Sequence, residues 1–303
     1  MLSPDSASSP LLLALTLLAL VALLVVRALR KDRLEYRRFK RYRSSHLRQR
    51  MYRKWLVDSA LVFGGSAAVT LALAWQYVPL LLADVDSPPW IAAARAAFSG
   101  TGALGVGIAT GVVVALVGGS ALAIFAARHS EEVPSIGDIQ SLLPRTRAEL
   151  RWGAALSVNA GIVEELLFRL AVPAMIYGLS GNAIVAIAGS LLLFGALHAY
   201  QGVAGIIGST VIGAALMLVF LATGSIVAAI VAHALIDLRS LVLIPVVVYR
   251  VHRYTGNIVG AGMVRTLPTP TPATQPTDPQ ATSAATPTST PTSPPTDLRA
   301  HLE

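Results

Sequence analysis

Two adjacent glutamates and an arginine lie inside an apolar segment, GIVEELLFRL, at residues 161–170. An ionised group in such surroundings costs several kcal/mol unless it is paired or put to use. Glu165 and Arg169 are four residues apart, so on a helix they can form an ion pair. Glu164 is rotated about 100° away from that face. We therefore expect a structural Glu165–Arg169 pair and a Glu164 that faces a polar cavity, where it can take a proton from water.

Two later apolar segments each hold a histidine with a partner at helical spacing. Phe194 and His198 are four residues apart in FGALH, and His233 and Asp237 are four apart in HALID. Taken singly, a histidine of this kind is more often a hydrogen bond between helices than a ligand, and Phe194 is more often packing. Their occurrence in successive apolar segments after the glutamates favours a functional site over structural contacts.

The set EELLFR, FGALH and HALID resembles the three signatures of the CPBP family of intramembrane proteases, which includes the CAAX prenyl endopeptidases and the bacterial Abi proteins. The family pattern is EExxxR, FxxxH and then HxxxN or a related residue, and the match spans about residues 150–248 in the correct order. The resemblance implies a peptidase acting from a cavity in the bilayer. By motif position, Glu164 and His198 would activate water, Phe194 would pack, and His233 with Asp237 would stabilise the oxyanion.

Asp237 departs from the asparagine found in the best-studied CAAX-type members. An ionised aspartate cannot donate a hydrogen bond to an oxyanion and would repel it. Either Asp237 is protonated, or it accepts a hydrogen bond from His233 and leaves that histidine as the donor.

A divalent metal such as zinc is an open alternative to glutamate catalysis, because two histidines and a glutamate form a known catalytic zinc set. The ligands would be Glu164, His198 and His233. No HExxH motif demands a metal, the chain has no cysteine, and Glu165 is assigned to Arg169. We therefore favour metal-independent hydrolysis and assign no cofactor.

The expected function is an intramembrane endopeptidase, a hydrolase acting on a hydrophobic, lipidated (for example prenylated) or transmembrane peptide. Two alternatives remain open. One is a catalytically silent relative that acts as a scaffold or immunity-type protein. The other is a proton-coupled transporter, because chains of intramembrane acids and histidines also relay protons. The absence of an internal repeat of the hydrophobic pattern argues against the transporter.

The composition predicts that the motif residues lie on membrane-spanning helices. The 303-residue chain is 54% hydrophobic and 13% charged, against about 25% charged in soluble domains. We expect an all-α, polytopic transmembrane bundle with about seven spans. The predicted spans are residues 6–26, 59–83, 100–127, 153–178, 182–197, 203–222 and 225–249.

The basic residues are concentrated in one segment. Residues 27–54 hold 13 lysines and arginines against two acidic residues, and the rest of the chain is slightly acidic. We expect this segment to contact anionic lipid headgroups on the cytoplasmic side, in a bacterial plasma membrane, and we expect no nucleic-acid partner.

Four regions follow from these patterns. Residues 1–54 hold a transmembrane helix and the basic segment, and residues 55–149 hold two further spans with their loops. We expect residues 150–265 to form the catalytic core and residues 266–303 to form a disordered, cytoplasmic Pro/Thr-rich tail.

Overall fold

The computed structural model describes residues 2–99 and 140–254, and these residues form helices with no strand among them. The predicted span at residues 100–127 and the tail at residues 266–303 lie outside the described residues. The all-α prediction is confirmed for the described part.

The N-terminal half begins with two long helices. Helix α1 spans Ser9–Lys40 and α2 spans Ser45–Ala74. The predicted first span therefore continues as helix into the basic segment as far as Lys40, because Arg, Lys, Leu and Glu are good helix formers and neither Gly nor Pro interrupts residues 27–40. The second predicted span is divided at Trp75–Gln76, since Pro79 cannot donate a backbone hydrogen bond and its ring clashes with the preceding turn.

Two shorter helices follow, α3 at Tyr77–Asp86 and α4 at Pro89–Ser99. Arg95 of α4 pairs with Asp86 and donates a hydrogen bond to the carbonyl of Leu221, at 3.0 Å. This contact joins the end of the N-terminal half to the C-terminal helices.

Helix α5 runs over residues 147–180 and carries the two glutamates. The Thr146 hydroxyl accepts a hydrogen bond from the backbone of Glu149 and caps the first turn, and Gly181, with φ +60°, ends the last. The stretch Leu166–Ala171 is a π-helix. This wider turn ends two residues before Pro173, which cannot supply the α-helical hydrogen bond to residue 169.

The last three helices are α6 at Ala183–Leu197, α7 at Gly202–Thr223 and α8 at Ile226–Val247. Helices α6 and α7 fold back on each other through the 3₁₀ turn His198–Gln201. A Cβ atom on Gly213 would lie only 2.8 Å from Cδ1 of Phe194, whereas a straight helix would separate these residues by about 28 Å.

Within the described residues, four helices are long and apolar enough to cross a membrane, so the count of seven spans is not confirmed. They are Ser9–Lys40, Ser45–Ala74, Ala183–Thr223 and Ile226–Val247. The third of these contains the predicted fifth and sixth spans with the turn between them. Helix α5 is not among the four, because three charged residues lie near its centre.

The basic segment contains one arginine that faces the protein interior. Arg48 is fully buried, and its Nε lies 3.0 Å from Oε2 of Glu149, at the start of α5. The guanidinium also donates to the carbonyls of Ser141 and Leu143. Most other cations of the segment are exposed, but Arg48 is a structural contact and not a headgroup ligand.

Two glycines of α5 allow this helix to pack closely against α8. A Cβ atom on Gly161 would lie 2.9 Å from the carbonyl oxygen of Ile230, and one on Gly153 would lie 2.9 Å from that of Leu241. Such distances exclude a larger side chain without a shift of the backbone. The close approach of these two helices places the glutamates of α5 beside the histidine of α8.

Candidate active site

The two adjacent glutamates of α5 face different surroundings. Glu165 has no exposed surface, whereas Glu164 is partly exposed and lines a cavity of about 600 Å³. This divergence follows from the helical rotation of about 100° per residue.

Glu165 binds two cationic or potentially cationic groups. Its Oε2 lies 3.1 Å from Nε of Arg169, and its Oε1 lies 2.7 Å from Nδ1 of His233. Arg169 is also buried, donates to the Gly213 carbonyl at 3.3 Å, and lies 5.3 Å from the centre of the Phe194 ring. The sequence predicted the Glu165–Arg169 contact but not the hydrogen bond from His233, which joins the first motif to the third.

The hydrogen bond to Glu165 fixes the orientation of His233. A ring nitrogen that faces a carboxylate carries the proton, so Nδ1 donates and Nε2 is directed elsewhere. Nε2 lies 3.8 Å from Oδ2 of Asp237, which is beyond hydrogen-bond distance. Glu165 is thus a positioning residue for His233 as well as the partner of Arg169.

His198 lies where α6 ends and the chain turns. Its Nδ1 donates to the carbonyl of Phe194 at 2.9 Å, which leaves Nε2 as an acceptor. The Phe194 ring is buried and packs near both histidines, with centroids 4.9 Å from His198 and 6.4 Å from His233. Phe194 therefore contributes to the packing beside both imidazole rings.

The cavity collects the predicted residues from three helical segments. Glu164 of α5, His198 at the end of α6, and His233 with Asp237 of α8 all line it. Asp237 keeps about a third of its side chain exposed, at 34%. The four residues assigned to catalysis thus share one cavity, while Glu165 and Arg169 lie behind it.

Other residues of the cavity were not singled out from the sequence. The Tyr200 ring stacks near His198, with centroids 6.1 Å apart, and α1 contributes Arg27 and Asp32. Arg239 of α8 also lines the cavity. Arg239 could have been singled out from the sequence, since it is a charged residue inside a predicted span. Arg27 and Asp32 could not, because they belong to a basic segment whose charge was interpreted as a lipid contact.

The described residues do not form a ready-made metal site. In residues 2–99 and 140–254, no three His, Asp or Glu side chains are grouped to hold a metal ion. Glu164, His198 and His233, the ligands named for the zinc alternative, are therefore not grouped as a metal site in the described part of the chain. We derive no step through a metal.

Comparison with known proteins identifies the region that holds this site. Residues 146–239 match the family described as type II CAAX prenyl endopeptidase Rce1-like. The match supports a CPBP-family protease. The matched region contains all three motifs and supports the family resemblance predicted from them, and that family is one of hydrolases. With the apolar helices, it indicates an integral membrane protein. No curated protein and no solved structure matched the chain.

Proposed function

We propose that this protein is an intramembrane endopeptidase that hydrolyses peptide bonds with water activated by Glu164 and His198. The observation that carries the proposal is the convergence of Glu164, His198, His233 and Asp237 on one cavity from separate helical segments. A hydrolytic site needs a base, a position for water and groups that stabilise developing negative charge.

Glu164 and His198 supply the acceptors for water. Glu164 has no hydrogen-bond partner among the described side chains, and Nε2 of His198 is an acceptor because Nδ1 donates to Phe194. A water molecule held by both groups transfers one proton to Glu164 as its oxygen attacks the carbonyl carbon. That proton then passes to the leaving amine nitrogen, which completes the hydrolysis.

His233 and Asp237 complete the charge balance. Because Nδ1 of His233 donates to Glu165, Nε2 can donate to an oxyanion only when the ring is an imidazolium. Two cations, Arg169 and imidazolium His233, would then face two carboxylates, Glu165 and Asp237, and the group is neutral overall. In this scheme Asp237 supports the cationic form of His233 and does not itself bind the oxyanion.

The lining of the cavity favours a hydrophobic substrate. Leu156, Phe168, Leu197 and Ile212 are among its apolar lining residues. Such walls bury apolar side chains or a lipid chain at about 25 cal/mol per Å². We propose a hydrophobic or lipidated peptide as substrate, with the protein in a bacterial plasma membrane and the exposed cations of residues 27–54 at anionic headgroups on the cytoplasmic side.

The test compares wild-type protein with the isosteric variant Glu164→Gln in proteoliposomes. Cleavage of hydrophobic reporter peptides is followed by mass spectrometry, and folding is checked by thermal unfolding in detergent. We expect Glu164→Gln to lower kcat by about 100-fold or more, because it removes the general base, with an unchanged unfolding temperature. A variant that folds and retains normal turnover would show that Glu164 is not the base.

Two further measurements separate this proposal from its alternatives. Activity that persists in a strong chelator, with no metal in the purified protein, supports metal-independent hydrolysis, and its loss supports the zinc version. Proton-coupled flux by a wild-type protein that cleaves no reporter supports the transporter. Absence of both flux and cleavage across a varied peptide library supports a catalytically silent relative.

A further inference from the structure

Arg239 is a charged residue in an apolar helix. It lies in α8, whose span Ile226–Val247 is otherwise apolar apart from its histidine, aspartate and serine. It is partly buried and lines the cavity that holds the candidate catalytic residues. A guanidinium inside a membrane helix is costly, and such groups as a rule face a partner or a functional cavity.

In the part of the chain that the structure describes, Arg239 has no partner. No carboxylate lies within ion-pair distance of it, and its guanidinium makes no side-chain hydrogen bond. The neighbouring Asp237 is directed to His233, 3.8 Å away. A guanidinium offers five donors and cannot lose its charge, so these donors remain available to a ligand.

Arg27 is the other arginine that lines the cavity, and it has a carboxylate partner. Arg27 lies with its Nε 3.4 Å from Oδ2 of Asp32, and its side chain is only 10% exposed. Its charge is therefore compensated from within α1. Among the described cations that line the cavity, Arg239 is the one whose charge no protein carboxylate balances.

We propose that Arg239 binds a carboxylate of the peptide substrate and so determines specificity. Carboxylates accept two parallel hydrogen bonds from a guanidinium, which makes them the group best matched to this side chain. Arg239 follows His233 by six residues, about 9 Å along the helix axis. The bound anion therefore lies away from the reacting carbonyl. This inference rests on the proposed peptidase activity.

A carboxylate can come from the free C-terminus of the peptide or from an aspartate side chain, and three reporter peptides distinguish these sources. The first has a C-terminal carboxylate and one aspartate on the leaving side of the cleaved bond. The second has a C-terminal amide, and the third has asparagine in place of the aspartate. Each is assayed with wild-type protein, Arg239→Gln, Arg239→Lys and the control Arg37→Gln, which removes an exposed cation of α1 outside the cavity.

We expect Arg239→Gln to raise KM for the first peptide by about 10- to 100-fold, the range for one charge-assisted interaction. The same variant should not change KM for whichever modified peptide lacks the recognised carboxylate. Arg239→Lys should recover part of the affinity, and Arg37→Gln should behave as wild type. If Arg239→Gln no longer distinguishes the first peptide from the C-terminal amide, the recognised carboxylate is the peptide C-terminus. If it no longer distinguishes the first peptide from the asparagine peptide, the recognised carboxylate is the aspartate side chain. Either result supports the proposal.

The proposal is overturned if Arg239→Gln changes KM equally for all three peptides. Arg239 would then affect only the general electrostatic potential of the cavity and would not bind a particular carboxylate. Cleavage by the wild type would still stand in that case. Fluorescence titration of the three peptides into Glu164→Gln protein, with and without Arg239→Gln, gives the same comparison without turnover. If Arg239→Gln changes the affinity for all three peptides equally in this titration, the result contradicts the anion site even when no peptide is cleaved.

Discussion

The buried pair of Arg48 and Glu149 gives the sharpest stability prediction. Both side chains have essentially no exposed surface, and Nε of Arg48 lies 3.0 Å from Oε2 of Glu149. The guanidinium also donates to Tyr52 Oη at 2.9 Å and to the carbonyl of Leu143 at 2.9 Å. Arg48→Met removes the cation but retains most of the volume, so Glu149 becomes an unpaired buried charge.

Breaking a buried pair in this way costs about 3 to 5 kcal/mol. For a protein of this size, 1 kcal/mol lowers the unfolding temperature by about 2 to 4 °C, so we expect a decrease of about 6 to 20 °C. The assay is thermal unfolding in detergent, followed by fluorescence of the four tryptophans. The double variant Arg48→Met/Glu149→Gln removes both charges and should be at least about 1 kcal/mol more stable than the sum of the single effects.

The refuting result is an Arg48→Met protein that unfolds within 2 °C of wild type. A second contrary result is a double variant whose loss equals the sum of the two single losses. Either outcome would mean that Arg48 and Glu149 do not form a buried, energetically coupled pair, and that α2 is not fastened to α5 in this way.

Three further predictions concern residues that line the cavity or support it. Glu165→Gln should lower both yield and kcat, since it leaves Arg169 without its carboxylate and weakens the hydrogen bond that orients His233, as folding yield and rate assays will show. Gly161→Val should prevent the close approach of α5 and α8 and lower the unfolding temperature, whereas Gly65→Val, which meets open space, should not. Asp237→Asn should narrow the pH range of activity at its upper end, measured as kcat/KM against pH, because the imidazolium of His233 loses a supporting carboxylate.

The sequence was most informative where charge interrupts apolar segments. Glu164, Glu165 and Arg169 stand out because each would be costly without a partner, and their spacing alone separates the cavity-facing acid from the paired one. The helical class followed instead from the apolar composition, and the family resemblance from these residues together with FGALH and HALID.

The contacts between distant segments could not be predicted. The hydrogen bond from His233 to Glu165 joins residues 68 positions apart, and it depends on the close packing of α5 and α8. Arg48 gave no signal, because it is one of 13 similar cations and only the fold distinguishes the buried one. The span boundaries differ because apolar content does not reveal that α1 remains helical beyond the membrane-length stretch.

The most direct test of the shared catalytic cavity is a double-mutant cycle on kcat, with Glu164→Gln, His198→Asn and the combined variant in proteoliposomes. Groups that hold the same water act as a unit, so the account predicts that the combined variant is no more than about threefold slower than the slower single variant. Fully multiplicative effects, with folding intact in all three proteins, would contradict a common water and with it the proposed mechanism.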